Sequence, residues 1–250
     1  MLNTIKHMIQ RRLRKPRYRG LKKDIHQFFD LIAFKQTGHS THSQTGQEIM
    51  ALIVSGFKRN GYFVDFGATD GILNSNSYLL EKKFGWQGIL AEPERSWHDD
   101  LKSNRSAHIE TDCVWKQSGE TIEFDMIDNG ELSTISSYAG TDHLSSSRKN
   151  KTSYQLQTIS LLDLLKKYDA PETIDYLSID TEGSEFEILN AFDFTQNRFN
   201  LITVEHNYTD NRENIRRLLE VNGYRRVLKN LSRQDDWYIH ETVDLPDTIS

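Results

Sequence analysis

Gly61-Tyr62-Phe63-Val64-Asp65-Phe66-Gly67-Ala68-Thr69-Asp70-Gly71 decides how this chain is read. An apolar run carries an acid near its end, breaks at a small-residue turn, and leads into a segment that can start a helix. A parallel α/β sheet opens a nucleotide-type site with such a strand and turn. Gly67 and Gly71 have no Cβ, so the backbone can turn sharply there and approach a ligand closely. Asp65 and Asp70 place negative charge at the same point, which repels phosphate at short range and attracts a cationic sulfonium. The turn therefore points to S-adenosylmethionine rather than a dinucleotide or ATP, with Asp65, Gly67, Ala68, Asp70 and Gly71 as candidate cofactor contacts.

The pattern around this stretch alternates. Ile49 to Lys58 has helical spacing and Tyr62–Phe66 is a strand. Residues 74–84 suit a helix, and Gly88–Glu92 is a second strand. Glu94 to Ser103 suit a further helix and His108–Val114 a third strand. Beyond a strand pattern at Thr121–Ile127, residues 128–153 are polar and aperiodic, a candidate lid or acceptor loop. Thr158–Tyr168 reads as a helix, Ile174–Asp180 as a core strand, Ser184–Asn190 as a helix and Leu201–Glu205 as another core strand. Arg212–Val221 follows as a helix, and Tyr224–Leu228 with Asp236–His240 closes the chain as an antiparallel pair. Strands alternating with helices imply parallel βαβ units.

Ligands of open parallel sheets bind beyond the carboxyl ends of the strands. Four of the expected strands end in acids: Asp65, Glu92, Asp180 and Glu205. Glu92, just before Pro93, can accept both ribose hydroxyls of an adenosine. Asp112 and Cys113, at the end of the third strand, are placed to meet its base.

Val64–Gly71, Leu90-Ala91-Glu92-Pro93, Ser178-Ile179-Asp180-Thr181-Glu182-Gly183-Ser184-Glu185 and Val204-Glu205-His206-Asn207 resemble the successive motifs of the FkbM-type methyltransferases. Ser43-Gln44-Thr45-Gly46-Gln47-Glu48, Asn74-Ser75-Asn76-Ser77 and Phe84–Leu90 resemble elements of one branch of that family. The resemblance spans roughly residues 43–240, and the Asp-x-Glu-Gly-x-Glu block is its most specific part. Thr69 departs from it, standing where the family commonly has Asn. The resemblance implies a class I methyltransferase (Rossmann-like) fold: a seven-stranded, mostly parallel sheet, helices on both faces and one antiparallel strand. It also implies methyl transfer from S-adenosylmethionine to a hydroxyl of a saccharide, glycan or natural product. Asn76, Pro93 and Asp180 join the expected cofactor contacts.

A sugar hydroxyl attacks poorly until its proton leaves, so a base or a metal must handle that proton. The candidates are Asp180, Glu182, Glu205 and His206. In one arrangement His206 is the base. In the other, Asp180, Glu205 and His206 hold Mg²⁺, which acidifies the hydroxyl. For Glu182 and Glu185 a structural duty at a helix start is the competing reading. Tyr208, Trp237 and Tyr238 are candidates to line the acceptor pocket.

The chain's 250 residues suit one α/β domain over residues 36–245, preceded by a segment, residues 1–35, that resembles nothing in the family. Residues 1–23 carry nine Lys/Arg and no acid, which leaves 22 basic against 36 acidic residues in the rest. That arm is either solvated or seeks an anionic membrane surface or an acidic partner. The acidic body argues against nucleic acid. One cysteine, Cys113, excludes an intramolecular disulfide, and a reducing cytoplasmic setting is expected, with contact at the inner face of a membrane through the arm as the alternative. The oligomeric state is left open.

Overall fold

The computed structural model describes residues 41–127, 133–138, 151–229 and 232–244. The basic arm, the remainder of residues 1–40 and most of 128–153 lie outside the described residues. The chain runs α1 (Gln47–Val54), β1 (Tyr62–Phe66), α2 (Tyr78–Phe84), β2 (Gln87–Ala91), a 3₁₀ turn (Arg95–Trp97), α3 (His98–Asn104) and β3 (His108–Glu110). It continues through β4 (Cys113–Trp115), β5 (Thr121–Ile127), β6 (Thr134–Ile135), β7 (Lys151–Ser160), α4 (Leu161–Lys167) and β8 (Thr173–Ile179). The last elements are α5 (Glu185–Asn190), β9 (Arg198–Glu205), α6 (Asn211–Val221), β10 (Tyr224–Val227) and β11 (Asp235–His240).

The main sheet is mixed, with strand order β10-β11-β9-β8-β1-β2-β3. β9, β8, β1, β2 and β3 run parallel, and β11 is antiparallel to both β9 and β10. Alternation along the central strands feeds two cores. Val64, Phe66, Leu177, Ile179 and Ile202 pack on one face against Leu164, Leu165 and Ile188 of α4 and α5. Phe63, Leu90, Tyr176 and Leu201 pack on the other against α1 and α2. Helices thus cover both faces of an α/β sheet, and the carboxyl ends of β2, β1, β8 and β9 sit side by side.

Three expectations are corrected here. The run His108–Val114 is two strands, because Glu110 Oε1 accepts the backbone N–H of both Thr111 and Asp112 and turns the chain. β4 then joins a second sheet of order β4-β7-β5-β6. Thr158–Ser160 ends β7 rather than starting a helix; Ser160 caps α4 by accepting the N–H of Asp163 at 3.1 Å. Finally, β6 and the start of β7 fall inside the stretch read as loop. The early residues of β7 are exposed, so they carry no apolar alternation to mark a strand.

Candidate functional site

The turn after β1 is built before it can bind anything. Gly67 sits at φ +78°, and a Cβ there would lie 2.2 Å from the carbonyl oxygen of Asp180. Only glycine lets the β1 and β8 ends approach this closely. Asp65 stands beneath the turn, 2% exposed, and accepts Ser77 Oγ at 2.6 Å. Ser77 in turn accepts from Arg105, whose buried guanidinium also holds Glu81, Ser75 and the carbonyl of Gly71. Asp70 accepts the N–H groups of Ile72 and Leu73 at 2.8 and 2.7 Å and shapes the loop. Gly71 packs on Arg105, where a Cβ would come within 2.5 Å of Cγ. Asp65, Ala68, Asp70 and Gly71 therefore support the loop from behind, contrary to the expectation that they face a ligand. None of the four lines the cavity described next, and the chain itself occupies the carboxylate of Asp65 and the space beside Gly71.

Above the strand ends lies a cavity of about 330 Å³. Gly67 and Thr69 of the turn line it, with Glu92, Pro93 and Asn76 beside them. Asn76 donates to Ser178 Oγ at 2.9 Å. Glu92, 5% exposed, accepts Thr69 N–H through Oε2 and Glu94 N–H through Oε1, each at 2.8 Å. Burial outweighs these hydrogen bonds, and its pKa is pushed up to about 7. Cys113, Val114, Phe124 and Ile135 form an apolar wall. Asp112, expected beside Cys113, does not line the cavity; its N–H donates to Glu110 Oε1.

At the other end are Asp180, Glu182 and Glu205, each offering an oxygen within 4.8 Å of the others. Asn207 donates to Glu205 Oε2 at 2.8 Å and to Glu182 Oε2 at 3.4 Å. Burial, then the charges of Asp180, Glu182 and Glu185, raise the pKa of Glu205 well above the usual carboxylate range. Glu185 serves structure: its Oε1 accepts from Thr181 N, Thr181 Oγ1 and Gly183 N, closing the turn into α5. Glu182 does not share that duty and lines the cavity.

His206 is displaced from its expected place. Consecutive residues at a strand end point to opposite sides, so His206 turns away while Glu205 and Asn207 line the cavity. Its side chain is 1% exposed, and Nε2 lies 3.9 Å from Oδ1 of Asp236, a carboxylate whose Oδ1 Arg212 holds and whose Oδ2 Arg226 holds. Burial lowers its pKa to about 4, against the pull of Asp236 and with the help of Arg212. His206 is therefore outside the carboxylate cluster, and Glu182 takes the place beside Asp180 and Glu205 that the sequence reading gave to His206 in the metal set. Trp237 and Tyr238 are fully buried in the core and do not line an acceptor pocket, whereas Tyr208 does line the cavity and is 65% exposed.

Sequence reasoning missed Gln44 and Gln234, which hydrogen-bond at 2.7 Å across the cavity's edge. It also missed Glu94, a buried acid that accepts Ser133 Oγ at 2.5 Å. Their signals were weak, a glutamine in a polar loop and an acid at a helix start. Among the described residues lining the cavity there are four carboxylates (Glu92, Asp180, Glu182, Glu205) and no Lys, Arg or His.

The Methyltransferase FkbM domain family matches this chain over residues 65–226. No curated protein matches it in sequence. Among solved structures, it is similar to the precorrin-6y C5,15-methyltransferase of Geobacter metallireducens GS-15, at 12% identity and a TM-score of 0.38, over 77% of this chain and 85% of that one. It is also similar to a chain of a fibrillarin/Nop5p complex, at 11% identity and a TM-score of 0.39, over 79% of this chain and 80% of that one.

Proposed function

The chain belongs to the FkbM methyltransferase family and is an S-adenosylmethionine-dependent methyltransferase; on that premise we propose that it methylates a hydroxyl oxygen of a saccharide or related polyol. The observation that carries the reading is the charge of the cavity, four carboxylates without a cation among its described lining residues. Such a lining favours a sulfonium and disfavours a nicotinamide dinucleotide, whose pyrophosphate would meet like charge.

The residues fit the cofactor. Glu92 keeps acceptor capacity on both oxygens for the ribose hydroxyls, and the apolar wall at Cys113, Val114, Phe124 and Ile135 suits a purine. Asp180, reached from Gly67 across the β1–β8 gap, faces the cationic end. When bound, S-adenosylmethionine supplies an electrophilic methyl group. The chain's share is alignment, on the order of 7–11 kcal/mol in well-oriented systems, and removal of the acceptor's proton. Glu205 takes that proton; burial and the charges of Asp180 and Glu182 raise its pKa above the usual carboxylate range and so strengthen it as a base. Glu182 and Asn207 orient it.

A second reading is favoured by the three carboxylate oxygens within 4.8 Å of one another. Such all-oxygen sets suit Mg²⁺, and Asp180, Glu182 and Glu205 would hold it, the ion supplying the positive charge that would lower the acceptor hydroxyl's pKa. Assaying with EDTA and then restored Mg²⁺ separates the two, since the base reading expects unchanged turnover and the metal reading a reversible loss. The acceptor class is tested by mass spectrometry of glycans and metabolites from cells with and without the protein. Products one methyl group heavier, and only on hydroxyls, are expected. Thermal stabilisation by NAD and not by S-adenosylhomocysteine would overturn the cofactor assignment.

The arm of residues 1–23 is proposed to reach an acidic partner or anionic surface, and the body to avoid nucleic acid. Among the described residues no helix is long and apolar enough to cross a membrane.

A further inference from the structure

We infer that Gln44, Gln234 and Tyr208 form the recognition rim for the acceptor. The two glutamine amides read a pair of vicinal hydroxyls beside the one methylated, and Tyr208 takes the C–H face of the same sugar ring. This rests on the saccharide reading above and deepens it. All three residues line the main cavity.

The rim stands at the reacting end. Asp235 pairs with Glu205 in the β9–β11 ladder, so Gln234, one residue earlier, lies beside the end of β9. The N–H of His206 donates to the Gln234 carbonyl at 2.8 Å, which sets Gln234 against the stretch Glu205-His206-Asn207. The apolar wall that suits the purine comes from other elements, β4, β5 and β6. A polar rim next to Glu205 therefore meets the molecule that gives up its proton.

The chemistry of the amide pair fits a diol. Gln234 Nε2 donates to Gln44 Oε1 at 2.7 Å. That bond leaves the NH₂ group of Gln44 and the side-chain oxygen of Gln234 with their hydrogen-bonding capacity. One donor group beside one acceptor matches two neighbouring hydroxyls, each of which both donates and accepts.

The loops that carry these side chains are built to hold them. Gln44 is exposed between buried Ser43 and Thr45. Beneath it, buried Glu48 accepts from Thr41 Oγ1 and from the N–H groups of His42, Ser43 and Leu79. Gln234 sits in a turn closed by the Asp235 N–H on the Ser232 carbonyl at 3.0 Å, directly after Arg233 at φ +57°. Tyr208, at φ +58°, follows Asn207 at +42°, and its N–H donates to His206 Nδ1 at 3.0 Å. Five of the ten non-glycine residues with such backbones among the described ones line this cavity: Thr69, Asn74, Glu182, Asn207 and Tyr208. Strain of this kind gathers at functional sites. Here it keeps the Tyr208 ring 65% exposed. Leu73, 46% exposed, lines the same cavity, and apolar surface left open together in this way marks a place that a ligand covers. An aromatic face with amides beside it suits a sugar ring, which is apolar on its C–H face and polar at its edge.

The test uses the full chain saturated with S-adenosylhomocysteine. The probes are methyl hexopyranosides (gluco, galacto, manno and rhamno) and the monodeoxy analogues of whichever binds best, titrated by saturation-transfer NMR. Binding of at least one pyranoside is expected. Gln44→Ala and Tyr208→Ala, both at exposed positions, should each weaken it roughly three- to tenfold. Tm, and S-adenosylhomocysteine affinity by calorimetry, should stay at wild-type values. One deoxy analogue should bind the wild type severalfold more weakly yet lose nothing further in Gln44→Ala, because the hydroxyl and the amide are two halves of one contact. Pyranoside binding that both variants leave untouched, or losses that add for every deoxy analogue, overturns the rim and leaves the saccharide reading standing. A wild type that binds S-adenosylhomocysteine and no pyranoside overturns the saccharide reading and the rim with it. Failure to bind S-adenosylhomocysteine strikes the cofactor site, on which the rim depends, so the three failures are told apart.

Discussion

The N–H of Thr69, in the turn after β1, donates to Oε2 of Glu92, after β2, at 2.8 Å. The glycine turn and the ribose-reading carboxylate are therefore one unit. Glu92→Ala removes the charge-assisted contacts to the cofactor and also releases the turn. The expected loss of S-adenosylhomocysteine affinity is about 1–3 kcal/mol, tenfold or more. Calorimetry giving an unaltered Kd would remove Glu92 from the cofactor site.

Glu205 and Asp180 lie at neighbouring strand ends and share one charge environment. Glu205→Gln keeps the shape and the Asn207 contact but cannot accept a proton. Turnover should fall by about 10²-fold or more, while S-adenosylhomocysteine affinity stays near wild type. A variant with full turnover would sink Glu205 as the base.

Gly67→Ala tests the close approach of β1 to β8. The new methyl would meet the Asp180 carbonyl at 2.2 Å, on a backbone at φ +78°. A cost of about 2 kcal/mol or more is expected, read as a lower Tm with weakened cofactor binding. Wild-type stability would mean that the two strand ends do not meet as described.

Asp235 lies across from Glu205 in the β9–β11 ladder and is 5% exposed. Burial and the nearby Asp180 push its pKa from 3.8 up to about 7. Below pH ~4 the carboxyl is protonated in folded and unfolded chains alike; as pH climbs through 7, the native state must hold it ionised while the unfolded state does so freely. The native state therefore loses stability from this group between those limits. Asp235→Asn should stabilise the unliganded protein at pH 8 by about 1–3 kcal/mol and have no effect at pH 4. Chemical denaturation at both values decides it; equal effects at both would refute the linkage.

The site was partly legible in the sequence because some residues act where the chain itself puts them. Glu92, Asp180 and Glu205 close apolar strand runs, and that position alone sends them to the sheet's carboxyl edge. His206 was misplaced because its neighbour Glu205 took the inward direction, and side-chain direction alternates along a strand. Asp65 looked like a ligand contact, and Ser77 and Arg105 claimed it from 12 and 40 positions away, a partnership no spacing announces. β7 stayed hidden because its exposed half has no apolar period.

Local chemistry in the chain determined that this protein alternates strand and helix, bends at Gly67 and brings acids to one edge, since periodicity and turn residues act over a few positions. Which carboxylates meet, that Glu182 joins Asp180 and Glu205 while His206 turns away, was decided only when distant strands came into register. Charge coupling and burial depend on distance through space, and the order of residues along the chain does not contain it.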